Sequence, residues 1–237
     1  MKLFSLFEYQ NPIKVDIHSH LLPGIDDGVK TLDEAVAIIK KFKLLGYSKL
    51  ITTPHVISDC YPNTQEIIAK KLKTVREALE KENIAISIEA SAEYYIDMEF
   101  LQLIEDDKLI PFMGNYILFE TSYTSKPMIF EQAIFEMINK GYIPVLAHPE
   151  RYRYLHHDME LYKSLKDQGA LFQVNIKSLQ DKSKANYKVA LKLIEMGIVD
   201  FVGSDVHRMR DVVKLKKTLN SRAYRRAIDK NILLNNQ

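Results

Sequence analysis

The stretch Gly141-Tyr-Ile-Pro-Val-Leu-Ala-His-Pro149 decides the fold, because it places three signals in a fixed order. A glycine of the kind that ends a helix leads into a short apolar run typical of a buried strand. A histidine and a proline then follow that run directly. The same step from glycine to strand recurs at Gly46, Gly169 and Gly197. Helix-like and strand-like segments therefore alternate along the chain, which indicates an α/β fold with a parallel sheet.

Working outward from this stretch, strand-like runs and helix-like runs alternate to the end of the chain. The predicted strands are Val15–His18, Lys49–Thr53, Ala85–Ala90, Tyr116–Glu120, Ile143–Ala147, Leu171–Asn175 and Asp200–Ser204. The predicted helices cover residues 31–45, 63–82, 97–106, 127–140, 158–168, 184–196 and 211–229. Units of this kind that close on themselves give a (β/α)7 barrel, and an eight-unit barrel or an open doubly wound sheet are the alternatives. No linker divides the chain, so residues 1–237 are predicted to form a single domain with residues 1–14 as an N-terminal extension.

Composition and charge exclude several classes of function. Apolar residues make up 46% and charged residues 27%, which is ordinary for a globular domain. The formal net charge of +2 provides no field that would attract nucleic acid or a membrane surface. No apolar run approaches the ~18 residues of a membrane-spanning helix, and no signal peptide is expected. Neither a G-x-G-x-x-G loop nor a Walker loop occurs, so nucleotide binding has little support.

The single cysteine, Cys60, bears on both compartment and mechanism. It allows no intramolecular disulfide and fits a reducing compartment, so a cytoplasmic location is expected. A cysteine-dependent phosphatase needs an arginine six residues after its cysteine, where the guanidinium holds phosphate close to the thiolate. That position is Glu66 here, so this chemistry is excluded.

Histidines and carboxylates follow almost every predicted strand. Catalytic side chains of barrels come from the C-terminal ends of several strands, so these groups are expected to converge on one face. Imidazoles and carboxylates together form a pocket suited to several divalent metals. In chain order, the strand ends carry His18 and His20, His55, Glu93, Glu120, His148, Asn175, and finally Asp205 with His207.

Each candidate ligand has a plainer alternative. His18-Ser-His20 places two imidazoles on the same side of an extended chain, and the alternative is a pair of half-buried strand histidines. Asp27 is predicted as a ligand, although Asp-Asp-Gly also makes turns without any metal. Glu93 and Glu120 are costly to bury without a cation or partner, but they could instead cap a helix and form a salt bridge, respectively.

Arginines after the fifth and the seventh predicted strands supply candidate contacts to an anion. Arg151 offers a guanidinium that matches phosphate oxygens in a bidentate way, and the alternative is a surface salt bridge. Arg208 and Arg210 are either further phosphate donors or part of a solvated loop. His156 and His157 are predicted to be surface residues, and the basic run in the last helix is predicted to be a solvated face.

Taken together, the motifs resemble those of the polymerase-and-histidinol-phosphatase (PHP) superfamily, and within it the bacterial capsule/exopolysaccharide-type protein tyrosine phosphatases. The resemblance runs from about residue 15 to residue 210 and therefore covers most of the chain. In order, the motifs are Asp16-Ile-His-Ser-His, Asp26-Asp-Gly, Thr53-Pro-His, Ala92-Glu-Tyr-Tyr, Leu118-Phe-Glu, Ala147-His-Pro-Glu-Arg-Tyr and Ser204-Asp-Val-His.

The resemblance implies a distorted (β/α)7 barrel whose C-terminal strand ends hold three divalent metals. Manganese is the expected metal, and iron, cobalt or zinc would also suit the ligands. Carried over by position, the first metal takes His18, His20, Glu93 and Asp205. The second takes Glu93, Glu120 and His148, and the third takes Asp27, His55 and His207. Arg151, Asp205 and His207 are the predicted catalytic residues, and Arg151, Arg208 and Arg210 would contact the substrate phosphate.

The implied activity is hydrolysis of phosphotyrosine by a metal-activated hydroxide. The expected partner is a phosphotyrosine protein, by resemblance a bacterial tyrosine kinase of capsule or exopolysaccharide synthesis, with neither nucleic acid nor membrane insertion involved. An oligomer is compatible with the sequence. The alternative is a PHP phosphatase for a small metabolite such as histidinol phosphate. An amidohydrolase, a PHP nuclease and a metal-stabilised scaffold that catalyses nothing are weaker alternatives.

Overall fold

The computed structural model describes residues 11–237, and its strands form two parallel sheets. The first sheet has the order β1-β2-β4 and the second has the order β3-β5-β6-β7-β8-β9. The α/β class and the parallel pairing predicted from the sequence are therefore confirmed. The strands are β1 (Val15–Asp16), β2 (Lys49–Thr52), β3 (His55–Val56), β4 (Ser87–Ala90), β5 (Glu93–Tyr95), β6 (Tyr116–Glu120), β7 (Ile143–Ala147), β8 (Leu171–Asn175) and β9 (Phe201–Gly203).

The helices agree with the prediction except at the C-terminal end. The predicted helix over 211–229 is wrong, because two helices occupy this region. The second begins at the Ser221 hydroxyl, which accepts a hydrogen bond from Tyr224 N–H at 3.1 Å and so caps a new helix. The helices are α1 (Leu32–Leu44), α2 (Gln65–Lys81), α3 (Met98–Glu105), α4 (Phe130–Asn139), α5 (Met159–Asp167), α6 (Ala185–Glu195), α7 (Met209–Leu219) and α8 (Arg222–Lys230).

Two short strands that were not predicted, β3 and β5, follow the second and third predicted strands after short breaks, and they pair in the other sheet. The strand predicted over Lys49–Thr53 ends at Thr52, and Thr53-Pro54 separates it from β3, since proline has no N–H to donate to a ladder. The strand predicted over Ala85–Ala90 ends at Ala90, and Ser91-Ala92 separates it from β5. At each of these two breaks the backbone therefore passes from the first sheet to the second. The closed seven-stranded barrel that was expected is not present as one continuous hydrogen-bonded ladder.

The outer strands β1 and β9 nevertheless meet beyond their ends. Asp205 N–H donates to the His18 carbonyl at 2.7 Å, and His20 N–H donates to the Val206 carbonyl at 2.9 Å. At the opposite end, the Asn235 side-chain amide donates to the carbonyls of β1 and β9, at 3.1 Å and 2.8 Å. These contacts bring the segments that follow the first and last strands side by side.

The apolar core has a large part and a small part. The large cluster fills the space between the sheets and the helices, and it includes Phe42, Phe119, Tyr162 and Phe172. The small cluster takes side chains from β1 and β2 of one sheet and from β6, β7 and β9 of the other, with Phe201 as its largest strand residue. Strands of both sheets therefore share one interior.

Residues 11–14 of the predicted N-terminal extension lie against the C-terminal segment. Asn11 is buried and accepts a hydrogen bond from the Tyr224 hydroxyl at 2.8 Å. Lys14 N–H donates to the Asn236 side chain at 2.7 Å. Residues 1–10 of that extension lie outside the described residues. In the described part of the chain, every helix is too short or too polar to cross a membrane.

Candidate metal centre

All nine side chains predicted as metal ligands lie together at the C-terminal ends of the strands. They form four overlapping groups, and within each group the potential ligand atoms lie within 4.8 Å of one another. The groups share members, so the cluster is continuous. The groups are His20, Asp27, His55 and His207; His18, His20 and Asp205; His18, Glu93 and His148; and His55, Glu93 and Glu120.

Glu93 occupies the middle of the cluster. Its Oε2 lies 3.1 Å from His18 Nε2, 3.4 Å from His20 Nε2 and 3.2 Å from His55 Nδ1. Its Oε1 lies 2.9 Å from His148 Nε2. Burial would raise the pKa of Glu93, but the positive charges of His18 and His55 outweigh burial and hold the pKa well below its usual range. Glu93 is therefore an anion whose two oxygens face imidazoles of different groups, so it could hold a metal in more than one of them.

Glu120 and His148 form the inner end of the cluster. Glu120 Oε1 lies 3.0 Å from His55 Nδ1, and its Oε2 lies 3.7 Å from His148 Nε2. Burial and the charge of Glu93 raise the pKa of Glu120. Burial and the charge of Arg151 lower the pKa of His148 to about 3, so this imidazole is neutral and able to donate a lone pair.

Asp27 and His207 form the outer end, which faces solvent. Asp27 Oδ1 lies 3.2 Å from His207 Nε2 and 3.5 Å from His55 Nε2, and its side chain is 47% exposed. Contact with His207 holds the pKa of Asp27 below its usual range, against the opposing effect of burial. For His207, burial lowers the pKa but the contacts with Asp205 and Asp27 raise it to about 10.

Asp205 has two differently engaged oxygens. Its Oδ1 lies 3.1 Å from His207 Nδ1 and 3.7 Å from His20 Nε2, so it faces the cluster. Its Oδ2 is surrounded by donors on the other side. Burial would raise the pKa of Asp205, but the charge of Lys177 and the hydrogen bond from His207 hold it well below its usual range. This carboxylate is therefore available to a cation through Oδ1.

A second layer of side chains orients the histidines, and the sequence did not reveal it. Asp26 Oδ2 lies 2.8 Å from His20 Nδ1, and Gln173 Oε1 lies 2.6 Å from His18 Nδ1. Each partner fixes one ring nitrogen and turns Nε2 toward the cluster. Asp26 also stabilises the turn that Asp-Asp-Gly was expected to form, since Gly28 N–H donates to its Oδ1 at 2.9 Å. The pair of adjacent aspartates was the one available signal.

The donor set fits several divalent cations. The cluster offers buried imidazole nitrogens and carboxylate oxygens, which bind manganese, iron, cobalt and zinc. His55 Nδ1 is buried and makes no hydrogen bond of good geometry, although Glu93 and Glu120 oxygens lie 3.2 Å and 3.0 Å away. Atoms that crowd in this way without a hydrogen bond are arranged as ligands around a cation would be.

An open cleft of about 240 Å³ leads to the cluster, and its wall combines cationic side chains with the carboxylates of the cluster and of Asp211. Arg151 lies in its wall, with Nη1 3.2 Å from Asp205 Oδ2 and its guanidinium carbon 4.4 Å from the centre of the Tyr123 ring. The predicted phosphate residues Arg208 and Arg210 are exposed and also line the cleft. Lys177 joins them, and no sequence motif indicated it.

Other titratable residues stay outside the cluster. Asp16, which precedes His18, accepts hydrogen bonds from Ser204 N–H and from the Ser204 hydroxyl, both at 2.8 Å. Its carboxylate therefore joins β1 to the segment after β9. His156 and His157 are not among the clustered residues, and His156 Nε2 lies 2.9 Å from the Glu150 carbonyl.

The fold and the site together define a parallel α/β protein with a candidate centre for several divalent cations. The chain belongs to the CpsB/CapC family, because the family model described as capsular polysaccharide synthesis, CpsB/CapC, matches residues 14–237. The resemblance to capsule-type phosphatases drawn from the motifs is therefore confirmed.

Relatives and a solved structure agree with this membership. Tyrosine-protein phosphatase YwqE of Bacillus subtilis is 30% identical over 83% of this chain and 78% of its own length. Tyrosine-protein phosphatase CpsB of Streptococcus agalactiae is 30% identical over 82% of this chain and 83% of its own length. One chain from the crystal structures of YwqE from Bacillus subtilis and CpsB from Streptococcus pneumoniae, described as unique metal-dependent tyrosine phosphatases, aligns with a TM-score of 0.78. That chain is 29% identical, and the alignment covers 88% of this chain and 89% of that one.

Proposed function

We propose that this protein is a metal-dependent protein tyrosine phosphatase that hydrolyses phosphotyrosine. The observation that carries the proposal is the convergence of nine imidazole and carboxylate side chains into one continuous cluster beneath an arginine-lined cleft. Relatives that cover most of the chain are tyrosine-protein phosphatases, and a solved relative is described as metal-dependent. The partner in this proposal is a phosphotyrosine protein, specifically a tyrosine kinase of capsule or exopolysaccharide synthesis, in the cytoplasm.

We further propose a distorted (β/α)7 barrel of the PHP type, with residues 1–237 as one domain. The contacts between the segments after β1 and β9 support this, as does the small core cluster shared by strands of both sheets. In this arrangement β2 with β3, and β4 with β5, would each form one strand of the barrel wall, with the hydrogen-bonded ladder broken before His55 and before Glu93.

The proposed cofactor is three divalent metals per chain, with manganese as the leading candidate. His18, His20, Glu93 and Asp205 would hold the first. Asp27, His55 and His207 would hold the third. The second would be held by Glu93, Glu120 and His148. When bound, such cations lower the pKa of water from ~15.7 toward ~7 and neutralise charge on phosphoryl oxygens.

The residues of the chain would then position the substrate. Arg151 lies in the cleft wall, where Tyr123 and Asp205 hold its guanidinium, so its donors are fixed before a phosphoryl group arrives. Arg208 and Arg210 at the rim would add positive charge. Asp205 and His207, whose Oδ1 and Nδ1 lie 3.1 Å apart, line the same cleft, and each would hold a cation where the phosphoryl group enters. The leaving phenolate has a pKa near ~10 and needs little assistance.

A comparison of substrates on the metal-loaded protein tests the proposal. We expect turnover of a phosphotyrosyl peptide, loss of activity with a chelator, restoration by manganese and no effect of alkylating the exposed Cys60. A preference for histidinol phosphate would instead support a small-metabolite phosphatase. Metal binding without hydrolysis of either substrate, or of para-nitrophenyl phosphate, would reject the enzyme altogether.

A further inference from the structure

Lys177 places a positive charge in the cleft wall for which the reaction described above gives no role. It follows β8 in the short 3-10 helix Ile176–Leu179, and its side chain is 29% exposed. Its ammonium nitrogen lies 2.7 Å from Asp205 Oδ2 and donates to the Asp205 carbonyl oxygen at 2.9 Å. In the described part of the chain, the polar contacts of the Lys177 ammonium group are therefore with Asp205 alone.

The Asp205 oxygen that Lys177 contacts has more donors than it needs. Asn175 Nδ2 donates to Oδ2 at 2.6 Å, Lys177 Nζ lies at 2.7 Å and Arg151 Nη1 donates at 3.2 Å. A carboxylate oxygen has two lone pairs, so three donors exceed its capacity. Asn175 is fully buried and neutral, and it would remain on Oδ2 if one cation turned away. If the Lys177 or the Arg151 side chain turned away, Asp205 Oδ2 would therefore still have a hydrogen-bond donor.

The two positively charged side chains that contact Asp205, Arg151 and Lys177, differ in how firmly they are held. Arg151 is fixed on a second side by the Tyr123 ring, 4.4 Å from its guanidinium carbon. Lys177 has a flexible stem of four carbons and a compact charge with three rotatable donors. Both side chains line the same cleft. Lys177 is therefore the cation that can turn toward an incoming anion.

We propose that Lys177 binds the substrate phosphate, and that its contact with Asp205 is its position before the substrate arrives. Lysine is an established phosphate ligand that acts as a point charge. A phosphomonoester dianion in the cleft offers it more negative charge than a carboxylate shared with Asn175 and Arg151. Arg151 would then orient the phosphoryl group while Lys177 adds charge, which favours a dianionic phosphoryl group over a monoanion. The inference rests on the proposed function, because it assigns a residue to the same cleft.

The test is titration of the manganese-loaded protein with inorganic phosphate by calorimetry, with manganese affinity measured separately on the same variants. For Lys177→Gln we expect phosphate affinity about tenfold weaker, which is about 1.4 kcal/mol, and unchanged manganese affinity. Lys177→Arg keeps the charge and should retain most of the affinity. The matched control is Lys182→Gln, because Lys182 is exposed in the same connection and lines a different surface hollow.

Three results would overturn the inference. Equal phosphate affinity for Lys177→Gln and the wild type would show that Lys177 does not bind phosphate. Weaker manganese binding with normal phosphate affinity once manganese is saturating would show that Lys177 only holds Asp205 in place. Failure of the wild type to bind phosphate would also reject it. The proposed function is tested separately, because it fails only if the wild type does not hydrolyse a phosphotyrosyl peptide.

Discussion

Glu150 allows a quantitative test of how this protein handles a buried acid beside its candidate site. Its side chain is fully buried, and Oε1 accepts a hydrogen bond from Asn175 N–H at 3.1 Å. In the described part of the chain, its Oε2 makes no hydrogen bond of good geometry. Burial raises the pKa of Glu150 to about 7 from an ordinary value of 4.5. We predict that Glu150→Gln stabilises the protein in mildly alkaline solution and not in acid.

The sign and size follow from the two pKa values. In the unfolded chain Glu150 loses its proton near pH 4.5, whereas the folded protein keeps it up to about pH 7. The folded state binds more protons across this window, so this residue's contribution to stability falls as the pH rises from 4.5 to 7 and is constant above it. Since a tenfold change in an ionisation constant is worth about 1.4 kcal/mol, the loss above pH 7 is about 3 kcal/mol.

Urea unfolding of the metal-free protein at pH 5 and at pH 8 measures this contribution. Glutamine keeps the shape of the side chain and the oxygen that accepts from Asn175, but it cannot ionise. The free energy of unfolding of Glu150→Gln should exceed that of the wild type at pH 8 by up to about 3 kcal/mol, and by little at pH 5. Glu80→Gln, at an exposed position on α2, is the control. A variant that is equally destabilised at both pH values would show that the reasoning is wrong.

Three further predictions concern the side chains that orient the ligand histidines, the C-terminal segment and the release of protons on metal binding. Asp26→Asn should weaken manganese binding about 10- to 100-fold, measured by calorimetry, because the 2.8 Å contact that orients His20 loses its charge; unchanged affinity would refute the orienting role. Asn235→Ala should lower the free energy of unfolding by about 3 kcal/mol in urea, since it leaves buried backbone groups of β1 and β9 unpaired. Because their acidic neighbours, acting against burial, raise the pKa values of His55 and His207 to about 10, both are protonated at pH 7 without metal. Metal binding should therefore release protons and weaken as the pH falls, and calorimetry in buffers of different ionisation enthalpy would detect this.

The alternation of elements was predictable because each step carries its own local signal. Glycines end four of the predicted helices in the left-handed conformation, with φ of 89° at Gly46 and 81° at Gly141, as predicted. The division into two sheets was not predicted, although Pro54 is a local signal for an interrupted ladder. The split of the last helix was also missed, because helical periodicity continues through Ser221 and conceals its capping role.

The candidate ligands were predictable, but their supporting residues were not. Ligand motifs are local, as in the pair of histidines separated by one residue that includes His18. Gln173 meets His18 across 155 positions of sequence, because β8 and the segment after β1 lie on either side of β9. Lys177 is likewise not distinguished from the other lysines by any motif, and its place in the cleft follows only from where β8 ends. Contacts that depend on the order of strands leave no trace in the spacing of residues.

The irregular strands are what place the central ligands. Both interruptions lie directly before a candidate ligand, at Pro54 before His55 and at Ala92 before Glu93. After the breaks these two ligands are paired partners in β3 and β5, so their side chains enter the cluster from adjacent strands. Because side chains alternate along a strand, one residue more or fewer in either break would turn a ligand to the other face. We infer that the two breaks in the hydrogen-bonded ladder are what allow Glu93 to lie beside the imidazole of His55 at the centre of the cluster.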